Sequence, residues 1–416
     1  MDSTYTFRKA LLRRLLDVVG AAALVGPAIT ISCGAKVAVD RDGGTTGLGG
    51  SGGAGGTNNV GSGFGGGGGG SCTLTTTGVG GAQQQITECF APPPDGCPKQ
   101  YDAVLHIIPS ECVYLVSVDC GPVESNGKCC YLVTEEPKPC GDGRPFVVDG
   151  EARTAPADRG DHGWTEADLA PALRGLDAAA RAALAEAWTA DALFEHASVA
   201  SFSRFALELM AAGAPADLLA AAHRAALDEV RHARLCFALA GGYRGEAVSP
   251  APFPFGGTVA VVSDLPAMAA ATARDGCIGE TVASLLAAEQ LARATDPAVR
   301  RTLAVIAEDE ARHAELAWRA VAWALDHGGE PVRAALREVF DNAGRHFPIG
   351  GRALSGITAE LAAAHGRLDP QAACRTVVRG LTEVVLPCAR ALLDGAAASP
   401  LLGEPAGGPV TQRSSA

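Results

Sequence analysis

Two stretches of this 416-residue sequence decide its fold, Asp228-Glu229-Val230-Arg231-His232-Ala233-Arg234-Leu235 and Asp309-Glu310-Ala311-Arg312-His313-Ala314-Glu315-Leu316. They agree at six of eight positions. In each copy Glu and His are three residues apart, which puts both side chains on one face of a helix. A single Glu-x-x-His pair arises by chance on charged helices. Two copies of the longer pattern indicate a repeated functional helix.

The sequence around these motifs predicts four long helices with clear ends. We expect helices at about 177–212, 217–242, 263–295 and 297–329, because Asp and Pro open them and Gly closes most of them. Two of the connections are short, whereas residues 241–262 form a long irregular link. Two helical hairpins joined by a crossover are typical of one class of four-helix bundle. Additional helices are expected at 331–343 and 370–393.

The two helices without a motif each carry a glutamate at the height of a motif. Glu195 lies before the predicted end of the first helix, and Glu229 and His232 lie after the predicted start of the second. The two separations, counted in residues, are nearly equal. Glu280 repeats this relation in the second hairpin. At about 1.5 Å per residue, the levels agree within roughly 3 to 8 Å. The sequence therefore predicts one cluster of Glu195, Glu229, His232, Glu280, Glu310 and His313.

This set resembles that of the ferritin-like di-iron carboxylate proteins, in which two helices supply one Glu each and two supply Glu-x-x-His. The Asp-Glu-x-Arg-His form is also similar to that of bacterial di-iron oxygenases and desaturases. The resemblance covers about residues 177–328. It implies two iron ions, or iron with manganese, and it makes Glu229 and Glu310 bridging ligands.

By the same resemblance, Asp228 and Asp309 accept the second N–H of a ligand histidine across the bundle. Arg231 and Arg312 would pair with those aspartates. The alternative for each Asp–Arg pair is an ordinary solvated helix face.

Charge explains why such a cluster needs metal. Four buried carboxylates carry −4, and two divalent ions offset that charge. Carboxylates with one imidazole per ion suit iron or manganese, and shared carboxylates allow redox chemistry with dioxygen or peroxide. We therefore expect an oxidoreductase with an unidentified substrate and electron donor. The alternative is a non-catalytic binding or structural lipoprotein of the cell envelope that uses the bundle as a scaffold.

Other residues near the site carry weaker signals. Tyr243 and the other four tyrosines are expected outside the four helices, which disfavours a tyrosyl-radical role of the ribonucleotide reductase kind. Trp188 and Trp318 are candidates for electron relay, but core packing explains them as well. His196 is turned about 100° from Glu195 and is expected to be a packing or surface residue.

The four cysteines of the helical part are interpreted as small core thiols. Cys236 and Cys277 follow or precede a ligand by one turn, and they lie too far apart to pair if their helices are parallel. Cys374 and Cys388 are separated by about four helical turns, which is too far to bridge within one straight helix.

The first 33 residues are typical of an export signal. Arg8, Lys9, Arg13 and Arg14 precede an apolar stretch at 18–31, which is too short to span a bilayer comfortably. The stretch ends at Thr30-Ile31-Ser32-Cys33, which resembles the lipobox of bacterial lipoproteins. We predict a signal peptide at 1–32 and a lipid on Cys33, which would anchor the exported chain to a membrane of the cell envelope. Free secretion and an uncleaved anchor stay open.

The remaining chain is predicted to hold a Gly-rich tether at 33–71, a cysteine-rich module at 72–150, the metal-binding domain at 165–395 and a disordered tail at 396–416. Residues 43–70 are dominated by glycine and cannot bury enough apolar surface to fold. The module holds eight cysteines without any C-x-x-C pair, a pattern that favours disulfides over a metal site. They are Cys72, Cys89, Cys97, Cys112, Cys120, Cys129, Cys130 and Cys140.

The short apolar runs of this module predict strands, and its protein or ligand partner stays open. The net charge of the whole chain is −12, from 34 Lys and Arg against 46 Asp and Glu. Such an acidic balance disfavours nucleic acid as a partner, because phosphate backbones attract basic surfaces. The fold class expected is therefore mainly helical, with a small disulfide-rich β module ahead of the helices.

Overall fold

The computed structural model describes residues 3–20, 84–92, 96–97, 113–137, 144–149, 151–256, 259–341, 343 and 354–395. These residues fall into two compact units. A strand unit holds residues 84–137, and a helical unit holds residues 3–20 together with everything described from 144 onward. The protein is mainly helical, with a small strand module ahead of the long helices, which confirms the predicted fold class.

The strand unit is a three-stranded antiparallel sheet. Its strands are β1 (Gln84–Phe90), β2 (Val113–Ser125) and β3 (Lys128–Pro137), with β3 in the centre. Asn126 and Gly127 join β2 to β3 with positive φ angles of 50° and 71°, as a tight hairpin turn requires. The apolar side chains of Tyr131 and Val133 form its small core.

Disulfides hold this sheet together. Cys89 bonds to Cys130 and Cys97 bonds to Cys129, so the two adjacent cysteines of β3 reach two different segments. Cys120 is also disulfide-bonded. Cys72, Cys112 and Cys140 lie outside the described residues. Disulfides of this kind indicate an oxidising, exported environment.

The helical unit is built around four long helical stretches. They are α2 (Ala178–Ala211), α3 (Ala216–Arg244), α4 (Leu265–Thr272) with α5 (Thr281–Arg293), and α6 (Pro297–Asp341). Helix α6 kinks at Gly329, whose φ of 57° and ψ of −136° are not helical, at the predicted boundary between two helices. A π-helical segment (Ala273–Glu280) joins α4 to α5 without a break. We call α2 with α3 the first hairpin, and α4 through α6 the second hairpin. Helix α3 packs against α2 and α6, and α6 packs against α4, the π segment and α5.

Smaller elements complete the helical unit. The helices are α1 (Ser3–Val18), α7 (Ala359–Ala364), α8 (Pro370–Gly380) and α9 (Leu386–Gly395), with a second π segment (Leu381–Val385) between α8 and α9. Four short strands pair as β4 (Val147–Val148) with β5 (Glu151–Ala152), and β6 (Ala157–Arg159) with β7 (Val248–Pro250). Strand β7 lies in the crossover that the sequence predicted to be irregular.

The helix starts follow their caps. Asp177 accepts a hydrogen bond from the Ala180 N–H at 2.8 Å, and Asp296 accepts one from Val299 at 3.0 Å. The predicted end of the second long helix at 242 is wrong, because α3 continues to Arg244 and ends at Gly245 with φ 83°. A Cβ on Gly242 would clash with Pro171, so this glycine allows close packing and does not end the helix.

Helix α1 belongs to the region predicted to be a signal peptide. It packs against α5, α6 and α9, with Leu11 and Leu15 buried. Arg8 pairs with Glu383 at 2.6 Å, and Arg14 pairs with Glu315 of α6. Cys33 lies outside the described residues. Within the described ranges, we find no helix with the length and apolar character that crossing a membrane would require.

Candidate metal centre

The four long helical stretches bring the six predicted ligands into one cluster. Glu195 comes from α2, and Glu280 is the last residue of the π segment. The first motif supplies its Glu and His from α3, and the second motif supplies them from α6. Five of the six residues are buried, and Glu195 keeps 16% of its side chain exposed. A buried cluster of ionisable groups results, open slightly on the side of α2.

Each motif glutamate spans both histidines. Glu229 places Oε2 3.6 Å from Nδ1 of His232 and Oε1 3.1 Å from Nδ1 of His313. Glu310 places its two oxygens 3.4 Å from the same two nitrogens. Two carboxylates that each face both imidazoles are arranged as bridging ligands would be.

Two overlapping groups of side chains meet the geometric requirement for holding an ion. Within each group, one ligand atom per residue lies within 4.8 Å of every other. The first group is Glu195, Glu229, His232 and Glu310, and the second is Glu280, Glu310 and His313. Glu310 belongs to both groups, so the cluster can hold a metal ion at either end.

The outer nitrogen of each histidine faces an aspartate from the other hairpin. Nε2 of His232 lies 3.0 Å from Asp309, and Nε2 of His313 lies 3.3 Å from Asp228. A carboxylate at Nε2 favours the tautomer that donates there and leaves the Nδ1 lone pair for a metal. The two motifs therefore orient each other's histidines.

The two motif arginines behave differently. Arg312 contacts Asp309 at 2.6 Å and Asp228 at 3.2 Å, so it joins the two aspartates. Arg231, its counterpart in the first motif, is exposed and forms no ion pair with the described residues.

The strongest sign that the cluster suits a cation is a set of buried atoms without hydrogen bonds. Among the described residues, the buried side-chain atoms that lack a hydrogen-bond partner include Nδ1 of both ligand histidines. They also include one oxygen each of Glu229, Glu280 and Glu310. Buried polar atoms are rarely left unpaired in proteins. Because the side chains that carry these atoms fall into two overlapping groups at ligand distance, the carboxylate and imidazole donors fit a metal that takes O and N ligands.

The pKa values show how strongly the groups of the cluster act on one another. Burial and the neighbouring Glu229 raise the pKa of Glu195 well above its usual range, and burial and Glu310 do the same for Glu280. Burial opposes the charged form of both histidines, but the surrounding carboxylates hold the pKa of each well above its usual value. Without a metal, protons would supply the positive charge that the carboxylates need.

The π segment positions Glu280. The sequence predicts an ordinary helix across 263–295, whereas the chain widens into π-helical hydrogen bonding at Ala273–Glu280. A Cβ on Gly276 would clash with Ala317 of α6, so this glycine lets the widened turn lie close to α6. Single π turns inside α-helices are frequent at functional sites.

Sequence reasoning missed Arg144. This residue precedes β4 and is 4% exposed, and its guanidinium lies 4.1 Å from the Phe205 ring centroid and 5.1 Å from that of Phe202. The centroid of the Phe202 ring lies 4.9 Å from that of His313. A buried cation thus lies one aromatic ring away from a ligand histidine. Its contacts are with residues distant in the sequence, and no local pattern marks it.

The structure also locates the tyrosine, cysteine, histidine and tryptophan residues that the sequence placed near the site. The placement of Tyr243 outside the four helices is wrong, because α3 extends past the two glycines and includes it. Cys236, Cys277 and Cys388 are buried free thiols, and Cys374 is also buried. His196 packs against the Trp164 ring, and Trp318 stacks on Phe340 in the core.

Comparison of the chain with protein-family models, with curated proteins and with solved structures found no match. The buried Glu and His cluster, which could hold metal, is therefore the main guide to function.

Proposed function

We propose that the helical unit is a ferritin-like di-metal protein that binds two iron ions, or iron with manganese, and acts as an oxidoreductase with dioxygen or peroxide. The single observation that carries this proposal is a set of five buried ligand atoms that make no hydrogen bond and belong to side chains within ligand distance of one another. Two divalent ions offset the charge of four carboxylates, and hard oxygen donors with one imidazole each suit iron and manganese. When bound, such a metal pair supplies electrons to an oxygen species.

The chain's own residues have separable roles in this proposal. Glu195 with His232 would hold one ion, and Glu280 with His313 would hold the other. Glu229 and Glu310 would bridge, since each faces both histidines. Asp228 and Asp309 accept the outer N–H of the histidines and fix the rings. Glu195 faces the more open side, where a small molecule would enter.

The test is metal content of the purified full chain after loading with ferrous iron under argon. We expect about two metals per chain, and loss of metal in His232→Ala and His313→Ala. Each variant has a matched control on its own helix. His223 on α3 and His327 on α6 are exposed, so His223→Ala and His327→Ala should keep their metal. Metal content near zero in the wild type would refute the proposal.

Export and anchoring form a separate proposal, in which the segment before Cys33, α1 included, is removed and a lipid on Cys33 tethers the remaining chain to the cell envelope. The disulfides of the strand unit support export, because they require an oxidising compartment. Cys33→Ala should shift the chain from the membrane fraction to the soluble fraction of its native host. An unchanged membrane fraction would refute lipid anchoring.

A further inference from the structure

A hydrogen-bonded pair lies in the core of the helical unit, beyond the metal ligands. Oη of Tyr243, in the last turn of α3, lies 2.7 Å from Nδ1 of His365, and the phenol donates this hydrogen bond when the imidazole carries its proton on Nε2. Both side chains are buried, with 2% and 6% exposure. Burial raises the pKa of Tyr243 and lowers that of His365, so the phenol and the imidazole are both neutral at physiological pH. A neutral base therefore faces a neutral phenol out of contact with water.

Trp188 lies between this pair and the metal ligands. It precedes Glu195 by about two helical turns on α2, or roughly 10 Å, whereas Tyr243 follows His232 by about three turns on α3, or roughly 16 Å. The chain next to His365 packs on this indole, since a Cβ on Gly366 would lie 3.2 Å from Cζ2 of Trp188. Along the helix axes Trp188 therefore stands at a level between the ligands and Tyr243, and it packs against the chain next to His365.

The indole has a defined environment of its own. The guanidinium of Arg367 lies 4.0 Å from the centroid of the Trp188 ring and donates a hydrogen bond to Asp191 at 2.7 Å. Within the described residues, Nε1 of Trp188 is buried without a hydrogen-bond partner. Packing alone would be satisfied by an aliphatic side chain, which leaves no unpaired N–H.

We propose that Tyr243 is a one-electron donor to the metal centre, with Trp188 as the relay and His365 as the proton acceptor. This inference rests on the proposed function, because the oxidant is the metal centre after it has reacted with peroxide or dioxygen. One electron leaves the phenol and reduces the oxidised centre by one equivalent. The Oη–H bond of Tyr243 breaks and an Nδ1–H bond forms on His365. The products are a neutral tyrosyl radical and an imidazolium.

The experiment uses the full chain, loaded with ferrous iron, mixed with hydrogen peroxide and frozen for electron paramagnetic resonance. We expect a tyrosyl radical signal whose hyperfine structure collapses when the protein is made with ring-deuterated tyrosine. Tyr243→Phe should abolish the signal. Tyr131→Phe is the matched control, because Tyr131 is equally buried but belongs to the strand unit. Its signal should equal that of the wild type.

Two further variants test the other residues. Trp188→Phe should slow formation of the radical several-fold while metal content stays unchanged. His365→Gln keeps a hydrogen-bond acceptor but cannot hold the transferred proton, so the yield of radical should fall several-fold. An unchanged yield in His365→Gln would show that the hydrogen bond only ties this loop to α3, and it would refute the assigned proton transfer.

The failures of the two proposals are distinguishable. A chain that holds its full metal content but forms no tyrosyl radical overturns this inference and leaves the metal centre standing. A signal that persists in Tyr243→Phe overturns it as well. A chain that takes up no metal overturns both. Thermal unfolding of each variant, compared with the wild type, separates loss of the radical from loss of the fold.

Discussion

The two hairpins of the helical unit carry the same interior and different exteriors. Inside, each gives one glutamate from its first helix and Glu-x-x-His from its second, and each histidine contacts an aspartate of the other hairpin. Outside, Arg234 of the first motif contacts Glu166, whereas Glu315 at the same motif position contacts Arg14 of α1. The ligand positions match, whereas the seventh motif position, which contacts a different segment in each hairpin, differs.

The hairpins also differ in how they present their first glutamate. Glu195 stands on a regular helix and is partly exposed, whereas Glu280 ends a π segment and is 1% exposed. The two ends of the cluster are therefore not equivalent. The first hairpin offers the open end, and the second hairpin offers the closed end.

The largest effect should come from the residue that both ends share. Glu310→Ala removes a ligand atom from both groups, so we expect loss of both metals. Glu195→Ala removes a ligand from the first group only, and it should leave about one metal per chain. Metal analysis after desalting measures both variants. Equal loss in the two variants would contradict the independence of the two ends.

The next effect concerns the aspartates that orient the histidines. Asp309→Asn should weaken metal binding by about 10- to 100-fold, which is the usual cost of losing such a carboxylate. Asp228→Asn should cost less, because Asp228 is 25% exposed and lies farther from its histidine, 3.3 Å against 3.0 Å. Competition with a chromophoric chelator measures both affinities. A larger loss in Asp228→Asn would reverse the order that the structure predicts.

The pH dependence of stability is a third test. In the metal-free chain the pKa values of Glu195, Glu280 and both histidines are raised, so the folded state holds protons that the unfolded state releases. Above about pH 5, the free energy of unfolding should therefore fall as pH rises through these raised values. The lowered pKa values of Glu229 and Glu310 change the free energy of unfolding only in more acidic solution.

Metal should reverse this trend, because an ion replaces the bound protons and binds more tightly as pH rises. Urea unfolding at several pH values, with a chelator and with Mn²⁺, measures the difference. A metal-free chain that gains stability between pH 5 and pH 8 would be inconsistent with a cluster held together by protons.

The smallest effect separates the two arginines. Arg312→Gln should destabilise the fold by about 0.2–1 kcal/mol, the usual range for a partly exposed ion pair. Its side chain is 43% exposed, so water screens the pairs with both aspartates. Arg231→Gln should have no measurable effect, since Arg231 forms no ion pair with the described residues. Chemical denaturation measures the free energy of unfolding of both variants. Equal losses would contradict the different roles assigned to the two arginines.

The sequence allowed the inner face of the helices to be predicted because a short spacing defines it. Glu-x-x-His fixes two side chains on one face, and counting from the two hairpin turns, at 212–217 and 295–297, gives the level of each residue. The structure brings the resulting residues to within ligand distance of each other. The strand module could also be predicted from the sequence, because the Asn126-Gly127 turn and the cysteines are local signals.

Other features could not be predicted, for physical reasons. The π segment contains Gly276 and Gly279, but no local pattern separates it from an ordinary helix, and Gly276 acts through a contact with Ala317 on another helix. Gly242 resembles a helix stop but serves to admit Pro171. Tyr243 and His365 meet although they are far apart in the sequence. Contacts of this kind depend on packing between distant segments, which no local spacing encodes.

The paired cysteines of β3 have one further consequence. Neighbouring side chains on a strand point to opposite faces, so Cys129 and Cys130 cannot exchange partners unless β3 turns over. In the observed register Cys130 lies opposite Cys89 and Cys129 lies opposite Phe90. A shift by one residue would separate both thiols from their partners. Both bonds can therefore form together only in the observed register of β3. Cys129 and Cys130, as neighbours on one strand, make correct disulfide formation depend on correct pairing of the strands.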